Sequence, residues 1–133
     1  MSNVQLANDI YTAFGRGDIP AVLAGFDTAI EWRQAESNPY FPEATMWVGP
    51  QAVLDNLFMR LGSEWDGFTV TVGSLHDAGE QVVMEGRYTG VYKASGKHLD
   101  AQVCHVLRFR GGKLTSFQQY LDTAQMQAVM ATA

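Results

Sequence analysis

The sequence predicts an α+β domain in which three N-terminal helices pack on one face of a curved antiparallel sheet, forming a cone with an interior pocket. Two observations carry this. Apolar residues recur at helical spacing through Leu61 and alternate with polar ones from Phe68 onward. The alternating segments are separated by DAGE, KASGK and GG, each a hairpin signal. Helices followed by hairpin-linked strands make an α+β pattern, not the repeating βα units of a parallel sheet.

Each element has its own signals. Ser2 and Gln5 form a capping-box pattern ahead of Val4, Ala7, Ile10, Tyr11 and Phe14, the apolar stripe of the first helix. GRGD closes that helix, and Asp18 caps a second, shorter one carrying Leu23 and Phe26. AIEWR is the first strand, and the loop after it runs from Ser37 to Val48 with Pro39 and Pro42 inside it. Pro50 opens a third helix whose stripe is Val53, Leu54, Leu57, Phe58 and Leu61, and Gly62 marks its end. FTVTVGSLH, QVVMEGRYTGVY, HLDAQVCHVLRFR and KLTSFQQYL are the four further strands. On the third of these, Ala101, Val103, His105, Leu107 and Phe109 are expected to face the helices. Cys104, Val106, Arg108 and Arg110 then lie on the outer face with Gln102. Asp122 and Gln125 cap a final short helix.

The chain has 133 residues, 47% hydrophobic and 17% charged, which suits one globular domain spanning residues 1–133. A formal net charge of −5 without any Lys/Arg cluster argues against nucleic acid and anionic membranes as partners. Cys104 is the only cysteine, so no intrachain disulfide and no cysteine-based zinc site is expected. The start MSNVQLANDIYTAF lacks the basic and apolar regions of a signal peptide, and no apolar run is long enough for a membrane span. The expected setting is cytoplasmic. His76, His98 and His105 lack metal-ligand spacing, and no Walker A, G-x-S-x-G or G-x-G-x-x-G pattern occurs, so no metal or cofactor is expected.

The helix ending in GRGD, the strand AIEW, the helix start GPQAV and the closing HVLRFRGGKLTSFQQYLDT together resemble the polyketide-cyclase SnoaL-like family. That family belongs to the nuclear transport factor 2-like superfamily, which also holds ketosteroid isomerase. The resemblance covers nearly the whole chain and implies the cone fold, an interior pocket and a homodimer formed through the sheet. The fold carries isomerases, cyclases, dehydratases, epoxide hydrolases and binding modules, so function has to be read residue by residue. Counting without gaps from Gly17 and Asp18, the isomerase's aspartate base falls at Gln34, which cannot act as that base. Its oxyanion tyrosine falls at Ile10 and its second oxyanion acid at His105. By this count the chain is not a ketosteroid isomerase.

What remains is a candidate site of changed chemistry. His105, between Val103 and Leu107 on an apolar strand face, is either a hydrogen-bonded core residue or a proton-transfer group lining the cavity. Glu36 lies two positions beyond Gln34 and is either a solvated residue past the strand end or the displaced acid–base partner of His105. Gln34, if inward, must be hydrogen-bonded, to His105, to Gln119 or to a ligand. Trp32, Tyr11, Phe14, Tyr40, Trp47, Met59, Trp65, Tyr88 and Phe117 each read singly as core packing and together as the apolar wall of such a pocket. The leading expectation is a cofactor-free enzyme of cyclase, isomerase or hydratase type, with His105 and Glu36 as the polar pair and a small apolar or aromatic ligand. The alternatives are a non-catalytic binding module for such a ligand and a dimerisation scaffold.

Overall fold

The computed structural model describes residues 1–132. Helix α1 (Asn3–Gly15) begins where Ser2 accepts a hydrogen bond from the Gln5 N–H, and α2 (Ile19–Ala24) where Asp18 accepts from the Ala21 N–H. Both caps fall where the sequence placed them. α2 stops at Gly25, however, and Phe26 opens strand β1 (Phe26–Arg33) instead of closing a helix. Along β1 the faces alternate, so Ile30 and Trp32 are buried while Glu31 and Arg33 are exposed. The expected loop holds a further short strand, β2 (Trp47–Val48), which pairs antiparallel with Glu31 and Trp32.

The third helix, α3, passes through Pro50–Val53, a π-helical turn at Leu54–Phe58 and Met59–Glu64. Gly62 therefore sits inside the helix rather than at its end. Around the wide turn the consecutive Leu57 and Phe58 both enter the core, and the next position, Met59, is carried out to 60% exposure. Met59 is thus not the interior wall residue it was expected to be.

Strands β3 (Trp65–Ala78), β4 (Gln81–Tyr92), β5 (His98–Arg110) and β6 (Lys113–Leu121) follow as antiparallel neighbours, and a C-terminal helix (Thr123–Met130) starts on the Asp122 cap. The sheet order is β2-β1-β6-β5-β4-β3, and it is curved and unclosed. One expectation about it is corrected: β1 lies parallel to β6, with Trp32 opposite Phe117. No hairpin links these two strands, so no turn fixed their relative direction. A Cβ at Gly86 would overlap the Thr71 carbonyl oxygen, which explains a glycine where β3 and β4 approach most closely. Among the described residues no helix is long and apolar enough to cross a membrane.

The inner face of the sheet meets the helices in one core that includes Ile30, Trp32, Leu57, Phe58, Leu107 and Phe117. On β5 the alternation is as read: Ala101, Val103, His105, Leu107 and Phe109 are buried, while Gln102 and Arg110 are exposed. This places a histidine in the middle of an otherwise apolar inner face.

Candidate functional site

A cavity of about 50 Å³ lies between α1, α3 and the inner face of the sheet. Its wall is aromatic and aliphatic, with Phe14, Trp32, Phe58, Leu107 and Phe117 among the residues that line it. The lining residues Ile10, Tyr11, Phe14, Phe68 and Val70 are only half-buried, so the way in lies between α1 and β3. Among the described residues four lining side chains carry polar atoms: Trp32, Tyr11 from α1, Tyr88 from β4 and His105 from β5. The Trp32 indole N–H is committed to Gln34, and the other three bond one another. They form a chain. The His105 Nδ1 lies 2.7 Å from the Tyr11 hydroxyl and its Nε2 lies 2.5 Å from the Tyr88 hydroxyl. Phe117 packs on the imidazole from β6, with ring centroids 4.5 Å apart.

Burial keeps the three groups neutral. His105 is 3% exposed, and desolvation pushes its pKa down from 6.5 to about 3. The same cause raises both tyrosines above their ordinary range. At neutral pH the polar end of the cavity therefore carries hydrogen-bond donors and acceptors but no charge.

A second layer of amides stands behind it. Gln119, opposite His105 on β6, donates from Nε2 to the Tyr88 hydroxyl at 2.9 Å. Its Oε1 accepts from the Ala35 N–H at 3.1 Å and from Asn38 Nδ2 at 2.8 Å, while Asn38 Oδ1 accepts from the Tyr40 N–H at 2.9 Å. Gln34 is buried with its Oε1 accepting from the Trp32 indole N–H at 2.8 Å. Tyr40 and Trp65 belong to a neighbouring cluster: the Trp65 indole donates to the Tyr40 hydroxyl, which donates to Glu64.

The candidate residues therefore divide. His105, Tyr11, Phe14, Trp32, Tyr88 and Phe117 meet at the cavity, with Gln119 directly behind. Gln34 and Tyr40 are not in this wall but line, with Gln119, a smaller neighbouring cavity of about 20 Å³ that shares Tyr88, Leu57, Leu61 and Phe68 with the first. Trp47 is half-buried on the edge strand. Glu36 is a correction. It is exposed on a turn outside β1 and does not face the cavity, so the expected His105–Glu36 pair does not form. Pairing of β1 with β6 ends at Arg33 opposite Gln118, and Ser37 takes a φ of 69°, so the two-residue period does not carry through to Glu36.

The sequence reading placed Tyr11 in the pocket wall but missed the partnership of its hydroxyl, and it missed Asn38 altogether. Tyr11 follows directly on Ile10, where the ungapped count put an oxyanion tyrosine; both line the cavity, and Tyr11 brings the hydroxyl. Asn38, only 2% exposed, is the hinge of the amide layer. Its signal was the Asn-Pro pair in ESNPY, which marks a turn whose amide bonds the backbone two residues on. Among the described residues no three His, Cys, Asp or Glu side chains come together to hold a metal ion.

The fold recurs in solved structures. A family model described as a SnoaL-like domain matches residues 7–117. An NTF2-like protein from Burkholderia thailandensis E264 is 37% identical over 98% of both chains, with a TM-score of 0.92. A hypothetical protein of ketosteroid isomerase-like fold from Catenulispora acidiphila DSM 44928, in complex with trimethylamine, is 18% identical over 93% of this chain and 90% of its own, with a TM-score of 0.77. TerC, co-crystallised with polyporic acid, is 19% identical over 96% of both chains, with a TM-score of 0.84. No curated protein matches the chain. With five-sixths of its length under one family model and a 37% identical relative of the same fold along nearly all of it, the chain belongs to the SnoaL-like domain family of NTF2-like proteins.

Proposed function

We propose that the chain is a small-molecule enzyme of the cyclase or isomerase kind, working without a cofactor on a compact apolar substrate that carries an oxygen. The observation behind this reading is the Tyr11–His105–Tyr88 chain at the end of an otherwise apolar cavity. A hydroxyl held in such a place stabilises negative charge developing on a substrate oxygen, as in enolisation or ring closure, because the surrounding dielectric is low and the donor is already oriented. The proton leaving carbon passes to a solvent water. His105 acts through Tyr11 rather than as a free base, since a histidine pushed down to about 3 is a poor proton acceptor. The cavity of about 50 Å³ is smaller than the roughly 150 Å³ that holds benzene in an engineered core. A ring enters by displacing a wall residue, for which half-buried Phe14 is the candidate. Solved relatives of this fold hold trimethylamine and polyporic acid, which supports small-molecule binding here.

The test uses a matched pair of probes, para-cresol and para-xylene, and an enolisable ketone, cyclohexenone. Para-cresol should bind more tightly than para-xylene, and Tyr11→Phe should erase the difference, a loss of about tenfold or more. Exchange of the ketone's α-protons for deuterium, followed by NMR, should be accelerated by the protein and fall by about 100-fold in Tyr11→Phe. Binding without any exchange would favour the second reading, a non-catalytic binding module. That reading has its own support in the absence of a carboxylate from the cavity wall.

We also infer a homodimer through the outer sheet face. Tyr120, 58% exposed, lies on this face with half-buried Cys104 and Val106, next to the paired Arg87 and Asp100. Sedimentation should give a dimer at tens of micromolar, well above typical specific dissociation constants. A monomer there would remove this part of the account.

A further inference from the structure

Two backbone N–H groups give the polar chain of the cavity a direction. A backbone N–H only donates, so the Tyr40 N–H fixes Asn38 with Oδ1 toward it and Nδ2 toward Gln119. Gln119 Oε1 then accepts from Asn38 and from the Ala35 N–H, which turns its Nε2 to the Tyr88 hydroxyl. Tyr88 is 6% exposed and already accepts this bond, and its own proton has one acceptor in reach, the Nε2 of His105. A neutral imidazole with an accepting Nε2 carries its proton on Nδ1, and that proton is donated to the Tyr11 oxygen. Tyr11 is left with its own proton, and among the described residues no acceptor meets it; Tyr11 lines the cavity.

We propose that Asn38 and Gln119 are positioning residues that set the hydrogen-bond polarity of the cavity, so that Tyr11 presents a donor and the site selects ligands with an acceptor oxygen, a carbonyl or a phenolate, over hydrogen-bond donors. This rests on the cavity being the ligand site, but the polarity itself exists without a ligand and is measured without one. Gln119→Glu is the decisive variant. Its carboxylate still accepts from Ala35 and Asn38 but now also accepts from Tyr88. Tyr88 then accepts from His105 Nε2–H, Nδ1 accepts the Tyr11 proton, and the cavity is left facing an acceptor. Asn38→Asp cannot produce this reversal, because the Ala35 N–H still holds Gln119 Oε1. If Gln119→Glu does not fold, the tautomer of the wild-type protein still tests the proposal.

The readout is the ¹⁵N NMR spectrum of His105 in the ligand-free protein at neutral pH. The wild-type protein should show a protonated Nδ1 and an unprotonated Nε2, and Gln119→Glu should exchange the two. The preference for para-tolualdehyde, which accepts but cannot donate, over para-xylene should fall at least tenfold in the same variant. A wild-type proton on Nε2, or a variant that folds with its tautomer unchanged, would overturn the proposal. Failure of both probes to bind the wild-type protein would instead remove the cavity as the ligand site, which the tautomer measurement does not touch.

Discussion

Lowering the pH from 7 to 4 should cost the wild-type protein roughly 3 kcal/mol more stability than it costs a His105→Gln variant. The folded-state pKa of His105 is depressed by burial from 6.5 to about 3. Its neutral form is the one the core accommodates, so the contribution is fully present above 6.5. It declines at about 1.4 kcal/mol per pH unit as the unfolded chain takes up a proton that the folded one refuses. The decline ends near the folded value, by which point it amounts to something on the order of 4–5 kcal/mol. Urea titrations of both proteins at pH 7 and pH 4 read this difference directly, because the carboxylates contribute equally to each. An equal loss in the two proteins would mean that His105 is charged or solvated in the folded state.

The second large effect belongs to Trp32. Its ring stacks on Phe117 at a centroid distance of 3.6 Å and 13° between planes, and it meets Phe26 and Phe58 on its other sides. Trp32→Ala should cost about 3–5 kcal/mol, since this cluster is held from β1, α3 and β6 at once and cannot close over the void. Trp32→Phe is expected to be milder but not silent. It keeps a ring on Phe117 but leaves the buried Gln34 Oε1 without the indole N–H, which costs about 1–3 kcal/mol. Denaturant midpoints of the two variants separate the ring from the hydrogen bond. A Trp32→Phe variant as stable as wild type would show that Gln34 finds another partner.

What the sequence revealed of this site depended on where local rules hold. The period-two alternation of β5 is sustained by pairing on both sides, and it placed His105 inward correctly. The capping residues Ser2, Asp18 and Asp122 act within three positions of themselves and were equally legible. The partnership of Tyr11 with His105 spans 94 positions and two element types, and helical spacing marked Tyr11 only as one of a stripe. Glu36 was lost to the opposite cause: a sound local period was extended past the point where β1 leaves the sheet. Gln34, one residue beyond Arg33, kept its inward place because the Trp32 indole holds its amide. The count from ketosteroid isomerase fell on Ile10, one position before Tyr11. On a helix neighbouring side chains point about 100° apart, so one residue of offset exchanges an alkyl group for a hydroxyl.

The central claim is that ligands meet this protein through the Tyr11 hydroxyl, inside the cone. A crystal structure of the protein soaked with para-bromophenol tests it most directly, because the halogen marks the ring's position and direction. The account predicts the ring among Phe14, Phe58 and Phe117, its oxygen within hydrogen-bond distance of Tyr11 and Phe14 swung from its ligand-free position. A ring bound instead in the outer groove lined by Arg33, Glu36 and Tyr120, with the interior unchanged, would contradict it.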